Sequence, residues 1–303
     1  MITHTTHTTP PTATAATATN NKLSIIDTDG VTHTTSLLSK THDMACFSWS
    51  IPAGHTCPSA VYGDGTICGS CYAMLNRYGM DNVADAQWLR LVWTKYLLKH
   101  DPQLWIDTMT ANIVKVSTKG KHATPFFRWH DSGDMFHLSY IMAIIEVCKA
   151  TPMVSHWLPT RGWQTNRKPI DTDSKWHAAL LELSKLDNVV VRSSALDFNS
   201  TAPTTPYGVG SSAYDGSVQP DVVDGMVVLD GVTHHACPKS TTDGGTCLKC
   251  NCRRCWDKEG GHVAYYVHGW QGRHTAGQLS DAGHAKRNER KKRFQALTIS
   301  TTA

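Results

Sequence analysis

Apolar residues recur along this chain with two different periods, and the alternation between them predicts its architecture. In "DNVADAQWLRLVWTKYLLKH", Val83, Ala86, Leu89, Trp93 and Leu97 fall at three- and four-residue intervals, the spacing of one helix face. "DPQLWIDTMTANIVKV" follows, with Asp101 suited to an N-cap and Pro102 to the first helical position. Short apolar runs then alternate with further helical stretches. Strands are predicted over Phe126–His130, "MVSHWLPT" and "NVVVRSSALDF", and helices over "LSYIMAIIEVCKA" and "SKWHAALLELSKL". That alternation implies a parallel sheet covered by helices. A polar stretch rich in Gly and Pro runs from Asn199 to about Val222, long for a plain connection and read as a functional loop or lid. "GMVVLDG" and "HVAYYVHG" read as two later strands. No Gly-rich phosphate fingerprint follows any strand, which disfavours a doubly wound sheet. The expected fold class is α/β, an irregular or incomplete (β/α) TIM-like barrel with cysteine-rich metal-binding insertions.

Composition sets the limits of this picture. The 303 residues suffice for a domain with a real core, and no run approaches the roughly 18 apolar residues that cross a bilayer. The start has neither the charged nor the apolar region of a secretory signal. Residues 1–21 are expected to be a disordered Thr/Ala-rich arm, 22–270 a single metal-bearing α/β catalytic domain, and 271–303 a basic flexible tail. "HAKRNERKKR" in that tail carries six Lys or Arg against one Glu, which exceeds the whole chain's +4 and leaves the rest near neutral. Basicity here belongs to a tail, able to hold phosphates without reading sequence.

Ten cysteines without a secretory signal point to metal sites rather than a disulfide framework. One group is Cys57, Cys68 and Cys71, with Cys46 upstream; the other is Cys237, Cys247, Cys250, Cys252 and Cys255. Each opens on Cys-Pro and returns as Cys-x-x-Cys. Such spacing suits zinc, with Cys250, Cys252 and Cys255 joined by His268, or by His262 or His284. Equally it suits a [4Fe–4S] cluster on Cys237, Cys247, Cys250 and Cys255, with iron then also possible on the first group. Cys148 falls on the apolar face of a helix and reads as core.

The polar residues at the strand ends carry the remaining chemistry. If Phe126–His130 is a barrel strand, "DSGD" lies at its C-terminal end, where barrel enzymes keep their catalytic groups. Asp131 and Asp134 could divide nucleophilic and acid/base roles. Ser132 and Gly133 would let the backbone approach a flat ligand, beside Arg128 and His130. The next strand delivers Arg161, suited to a carboxylate or phosphate, and the third delivers Arg192 and Asp197.

Taken together, "TCP…CGSCYA", "FRWHDSGDM", "WLPTRG" and "CP…CLKCNCRRCW…YYVH" resemble the bacteriophage gene product 88 family, over about Cys46 to His268. "DSGD", "LPTR" and C-x-C-x2-C with a later His are also similar to pieces of the tRNA-guanine transglycosylase superfamily. That likeness implies a zinc-bearing TIM barrel exchanging guanine for 7-deazaguanine in DNA through a covalent Asp intermediate. Asp131 matches the superfamily's "DSG" aspartate. Ser155, His156 and Trp157 stand where it carries another Asp, so Asp134 and Asp197 remain candidates for the nucleophile.

The leading expectation is a phage enzyme that exchanges a base in DNA, in the cytoplasm of the infected bacterial host. DNA would be held at the barrel mouth and by the basic tail, with a small 7-deazaguanine base as second substrate. Zn2+ is the expected metal, a [4Fe–4S] cluster the alternative. Two rivals stand beside this reading. One is an iron–sulfur enzyme resembling the radical-SAM class, with its cluster on Cys57, Cys68 and Cys71. The other is a non-catalytic zinc module binding nucleic acid.

Overall fold

Strand and helix alternate where the two apolar periods do. The computed structural model describes residues 13–40, 44–74, 76–215, 222–241 and 245–267. His268, His284 and the basic segment lie outside them. β1 (Ala13–Thr19), β2 (Lys22–Asp27) and β3 (Thr32–Ser36) make an antiparallel sheet. Residues 13–19, inside the stretch expected to be a free arm, thus form a strand. Asn20 and Asn21 join β1 to β2 with φ of 50 and 61, the left-handed pair that a two-residue hairpin loop requires.

The main sheet follows. β4 (Phe47–Ser50) precedes a long cysteine-bearing loop, then α1 (Asp81–His100), α2 (Pro102–Thr118) and β5 (Phe126–Ser132). α3 (Leu138–Ala150) leads to β6 (Ser155–Thr160), and the two-residue pair β7 (Gln164–Thr165) and β8 (Lys168–Pro169) precedes α4 (Lys175–Lys185) and β9 (Val189–Ser194). β10 (Gly210–Tyr214), β11 (Met226–Leu229) and β12 (Val232–Ala236) come next. Two short helices, α5 (Pro238–Thr241) and α6 (Cys247–Cys250), precede β13 (Val263–Tyr266). The strand order is β11-β12-β13-β10-β9-β6-β5-β4, with every neighbouring pair parallel except β11 against β12.

From β4 to β10 each strand of the main sheet lies beside the one before it in that sheet, the progression of a barrel, but the sheet stays open and the expected TIM-like closure does not occur. The physical reason is the far edge. β11 and β12 form a hairpin through Asp230 and Gly231, with φ of 47 and 76. Its antiparallel return caps the sheet where a barrel would need a parallel strand to meet β4.

α2 begins as its sequence requires: the Asp101 carboxylate accepts the Leu104 N–H at 3.0 Å, with Pro102 just inside. α1 departs from expectation. Its buried face includes Gln87, Arg90 and Thr94, whereas Val83, Ala86 and Leu89 are only half-buried. Those polar groups are satisfied. Gln87 donates to Ser50 Oγ, Arg90 to the carbonyls of Ser36, Leu37 and Ser50, and Thr94 Oγ1 accepts from the Trp105 indole. Between sheet and helices sit four fully buried indoles, Trp49, Trp93, Trp105 and Trp129, with Trp105 and Trp129 stacked at 6.4 Å. No helix among the described residues is long and apolar enough to cross a membrane.

Beside this cluster His156 is fully buried. Its Nδ1 accepts from Trp129 Nε1 at 3.2 Å, and Nε2 lies 2.8 Å from Thr151 Oγ1, which itself donates to Val147 O. Burial holds the imidazole down at about 3. A folded pKa below the unfolded value of about 6.5 means stability is full above that pH and is lost as pH falls toward 3. We therefore expect His156→Gln to flatten the acid limb of urea unfolding measured from pH 6.5 to 4, by about one proton's worth of slope. Superimposable slopes for parent and variant would contradict it.

Candidate functional site

The C-terminal ends of six parallel strands, β4, β5, β6, β9, β12 and β13, border one cavity of about 1380 Å³. Ser50, Ser132, Thr160, Ser194, Cys237 and Tyr266 are the respective residues at or just past those ends. Ligands in α/β proteins gather at this edge of the sheet.

β5 reaches the cavity through a bulge. It spans five residues, Arg128 to Ser132, where β4 spans three, Ser48 to Ser50. Inside the bulge His130 takes a φ of 56, left-handed for a residue with a Cβ and a conformation that costs on the order of 1 kcal/mol or more. The kink ends the alternation of faces, so that Trp129, His130, Asp131 and Ser132 are all buried in succession. Asp131 Oδ2 accepts from Tyr78 OH at 2.9 Å, and its carbonyl accepts from Tyr72 OH at 2.6 Å. Burial pushes its carboxyl up, against the Arg128 charge and the Tyr78 hydrogen bond. Arg128 lies 4.4 Å over the Trp157 ring and donates to Tyr72 OH. His130 Nε2 pairs with Tyr140 OH at 2.8 Å, and burial, aided by Arg128, holds its pKa down at about 3, so the ring is neutral.

Two of the three expected carboxylates have other work. Asp134 accepts from the N–H of Met135 (2.7 Å), from Thr160 Oγ1 (2.8 Å) and from the N–H of Arg161 (2.9 Å). It ties β5 to β6 and fixes where Arg161 begins. Asp197 is outside the cavity, paired bidentately with Arg167 at 2.7 and 2.8 Å on the surface. Asp197→Asn is accordingly expected to leave the thermal midpoint and the reactivity of the cavity's thiols close to the parent's; altered thiol reactivity with the fold intact would return it to the site. Gly133 also differs from expectation. At φ 85, a Cβ there would lie 2.5 Å from Ile51 Cγ1 and Thr56 Oγ1, so its missing side chain admits the cysteine loop rather than a ligand.

That loop carries the first thiol group. Cys57, Cys68 and Cys71 are free and all three line the cavity. Backbone bonds from Ile67 N to Leu196 O and from Phe198 N to Gly65 O fasten the loop to the end of β9. Burial raises the Cys57 thiol and pushes Cys71 up to about 11, with the nearby backbone of Gly54, and of Ala73 and Met74, working in the opposite direction. The second group divides. Cys237, Cys247 and Cys255 line the same cavity, burial pushing Cys247 up to about 11 and Cys255 up to about 12. Cys250 and Cys252 do not line it. Cys252 Sγ lies 3.5 Å from His235 Nε2, a neighbour on β12 that spacing alone did not suggest. Cys46 packs with Cys247 and Cys255 around Trp157 and Trp256, which puts it with the second group, not the first. Cys148 is core, as expected.

Arg192 was expected at the rim. It is instead fully buried and donates to the carbonyls of Gly210 (3.1 Å), Cys255 (3.2 Å), Gly261 (2.9 Å), Asp257 (3.1 Å) and Arg254. It holds the turn that presents Cys255.

Free thiols gathered on the walls of one cavity match the chemistry of a soft metal or iron–sulfur cluster. As placed, no three His, Cys, Asp or Glu among the described residues form a closed coordination set. The expected metal-binding insertions therefore appear as thiol-bearing walls of a cavity.

A family model described as Gene product 88 matches residues 13–258. No curated protein and no solved structure matches the chain. The likeness to tRNA-guanine transglycosylases finds no support in these comparisons.

Proposed function

The chain belongs to the gene product 88 family, and from the site it carries we propose an iron–sulfur enzyme resembling the radical-SAM class, with Cys57, Cys68 and Cys71 as cluster ligands. It would act in the cytoplasm of the infected bacterial host. One observation carries the reading: three free thiols of a single loop share a cavity with the C-terminal ends of six parallel strands. A bound cluster would supply one-electron chemistry. The chain's own residues do the rest. Tyr78 and Arg128 orient Asp131, whose carboxyl, raised by burial, is placed to hold or release a proton. Asp134 sets the start of Arg161, and His130 lends a neutral imidazole.

Anaerobic purification tests this directly. The expected product is brown and contains iron and acid-labile sulfide. Cys57→Ala with Cys71→Ala should remove most of the iron bound by that loop while the circular dichroism spectrum is kept. A colourless protein that holds only zinc after anaerobic iron–sulfide reconstitution would refute it.

A second reading, base exchange in DNA by transglycosylation on a zinc protein, is favoured by Asp131 itself, a buried carboxylate bordering the cavity. It lacks a free second carboxylate, since Asp134 is occupied by three donors and Asp197 lies outside. Duplex DNA incubated with labelled 7-deazaguanine bases should acquire label if this is the chemistry, and Asp131→Asn should abolish the transfer.

A further inference from the structure

The cavity has a charge that the proposed cluster does not explain. Its wall includes Lys40, Arg77, Arg90, Arg128, Arg161 and Lys239 against two carboxylates, Asp131 and Asp134, in a chain that is close to neutral outside its tail. Arg90 is occupied by backbone carbonyls; Arg128 donates to Tyr72 OH and covers the Trp157 face, while its buried Nε has no hydrogen-bond partner among the described residues. Among the described residues, the Arg161 guanidinium has only its Nε bonded, to Ala195 O at 3.2 Å. Lys40 and Arg77 are exposed, which puts them at the mouth. Both aspartates are buried, which raises their carboxyls, against the Arg128 charge at Asp131 and the three donors on Asp134.

Two further features narrow the ligand. Tyr72, Trp157 and Tyr265 contribute aromatic surface to the wall. His130 and Ser132, 3% and 2% exposed and both lining the cavity, each keep a polar atom (Nδ1 and Oγ) without a hydrogen-bond partner among the described residues. Buried polar atoms are rarely left unpaired, because each costs about 1–3 kcal/mol. The cavity also exceeds the roughly 300–1,000 Å³ of a typical small-molecule pocket. Cations at the mouth, aromatic faces within and unpaired groups below match a ligand with a phosphate on a planar, hydrogen-bonding ring.

We infer that the cavity binds a nucleotide, its phosphate drawn by the surplus of lining cations, the exposed Lys40 and Arg77 among them, and its base toward His130 and Ser132. The inference rests on the cavity being the working site, but not on the cluster. Free nucleotide and nucleic-acid strand share this chemistry, and the experiment separates them. Binding of a fluorescein-labelled single-stranded oligonucleotide to the full chain is followed by anisotropy, with GMP, guanosine and unlabelled oligonucleotide as competitors. The tail is kept in every variant so that its contribution is constant.

GMP competing at least tenfold better than guanosine identifies the free nucleotide; the unlabelled strand competing where GMP does not identifies the strand. In either case Lys40→Glu with Arg77→Glu, both exposed positions, should weaken the successful competitor at least tenfold, and raising salt should weaken it further. Ser132→Ala should weaken GMP or strand severalfold without changing the salt slope. An affinity within twofold of the parent's in the charge-reversed, folded variant would overturn the inference, as would guanosine competing as well as GMP. None of these readings requires turnover or iron, so a failed cluster test leaves this one decided on its own.

Discussion

Arg192→Met is expected to destabilise the protein by at least about 3 kcal/mol. The side chain is fully enclosed and donates to five backbone carbonyls, three of them in the Arg254–Asp257 turn that carries Cys255. Methionine fills much of the volume and supplies no donor. Each carbonyl then loses its partner in a place that water does not reach, and the deficits add because no neighbouring group can replace a five-donor fork. Arg192→Lys should recover part of the loss, since an ammonium offers at most three donors. Urea unfolding gives the free energy, and the rate at which Cys255 reacts with a thiol reagent reports the released turn. A change below about 1 kcal/mol would mean that the carbonyls find other partners.

Gly133→Ala is the second large effect. The left-handed backbone alone costs an L-residue about 1–2 kcal/mol. The added methyl would also lie 2.5 Å from Ile51 Cγ1 and Thr56 Oγ1 and 2.9 Å from Ile51 O. Thr56 cannot retreat cheaply, because its N–H and hydroxyl both bond to Pro52 O. The strain adds roughly 1–3 kcal/mol and falls on the residue next to Cys57. We expect a total near or above about 3 kcal/mol in urea unfolding, with Cys57 more open to a thiol reagent in whatever variant folds. A variant as stable as the parent would show that the loop can move freely against β5.

The periodic elements were legible and the polar ones were not. "LSYIMAIIEVCKA" forms α3 over those same thirteen residues, Leu138–Ala150. Its apolar face meets the sheet at the spacing that the sequence displays. β10, in contrast, lies within the stretch expected to be a loop. "GSSAY" is small and polar, and it is a strand because β9 and β13 satisfy its backbone on both sides. Hydropathy does not register a strand stabilised by its neighbours' hydrogen bonds. Asp131 was legible as a strand-end carboxylate, whereas Asp134, Asp197 and Arg192 each turned out to bind a partner from a different strand, turn or loop. Nothing in the local sequence names such partners.

The amino-acid sequence by itself determined the succession of strands and helices from α1 to β9, the capped start of α2, the strand-end position of "DSGD" and the two thiol-rich segments. These are local properties, fixed by side-chain periodicity, by backbone preference and by cysteine spacing. Only the tertiary structure decided that the sheet stays open, that thiols from both segments wall one cavity, and that the cations around it outnumber the carboxylates. Those outcomes depend on which distant groups meet, and a buried charge or carbonyl takes whichever partner the packing brings within hydrogen-bonding reach.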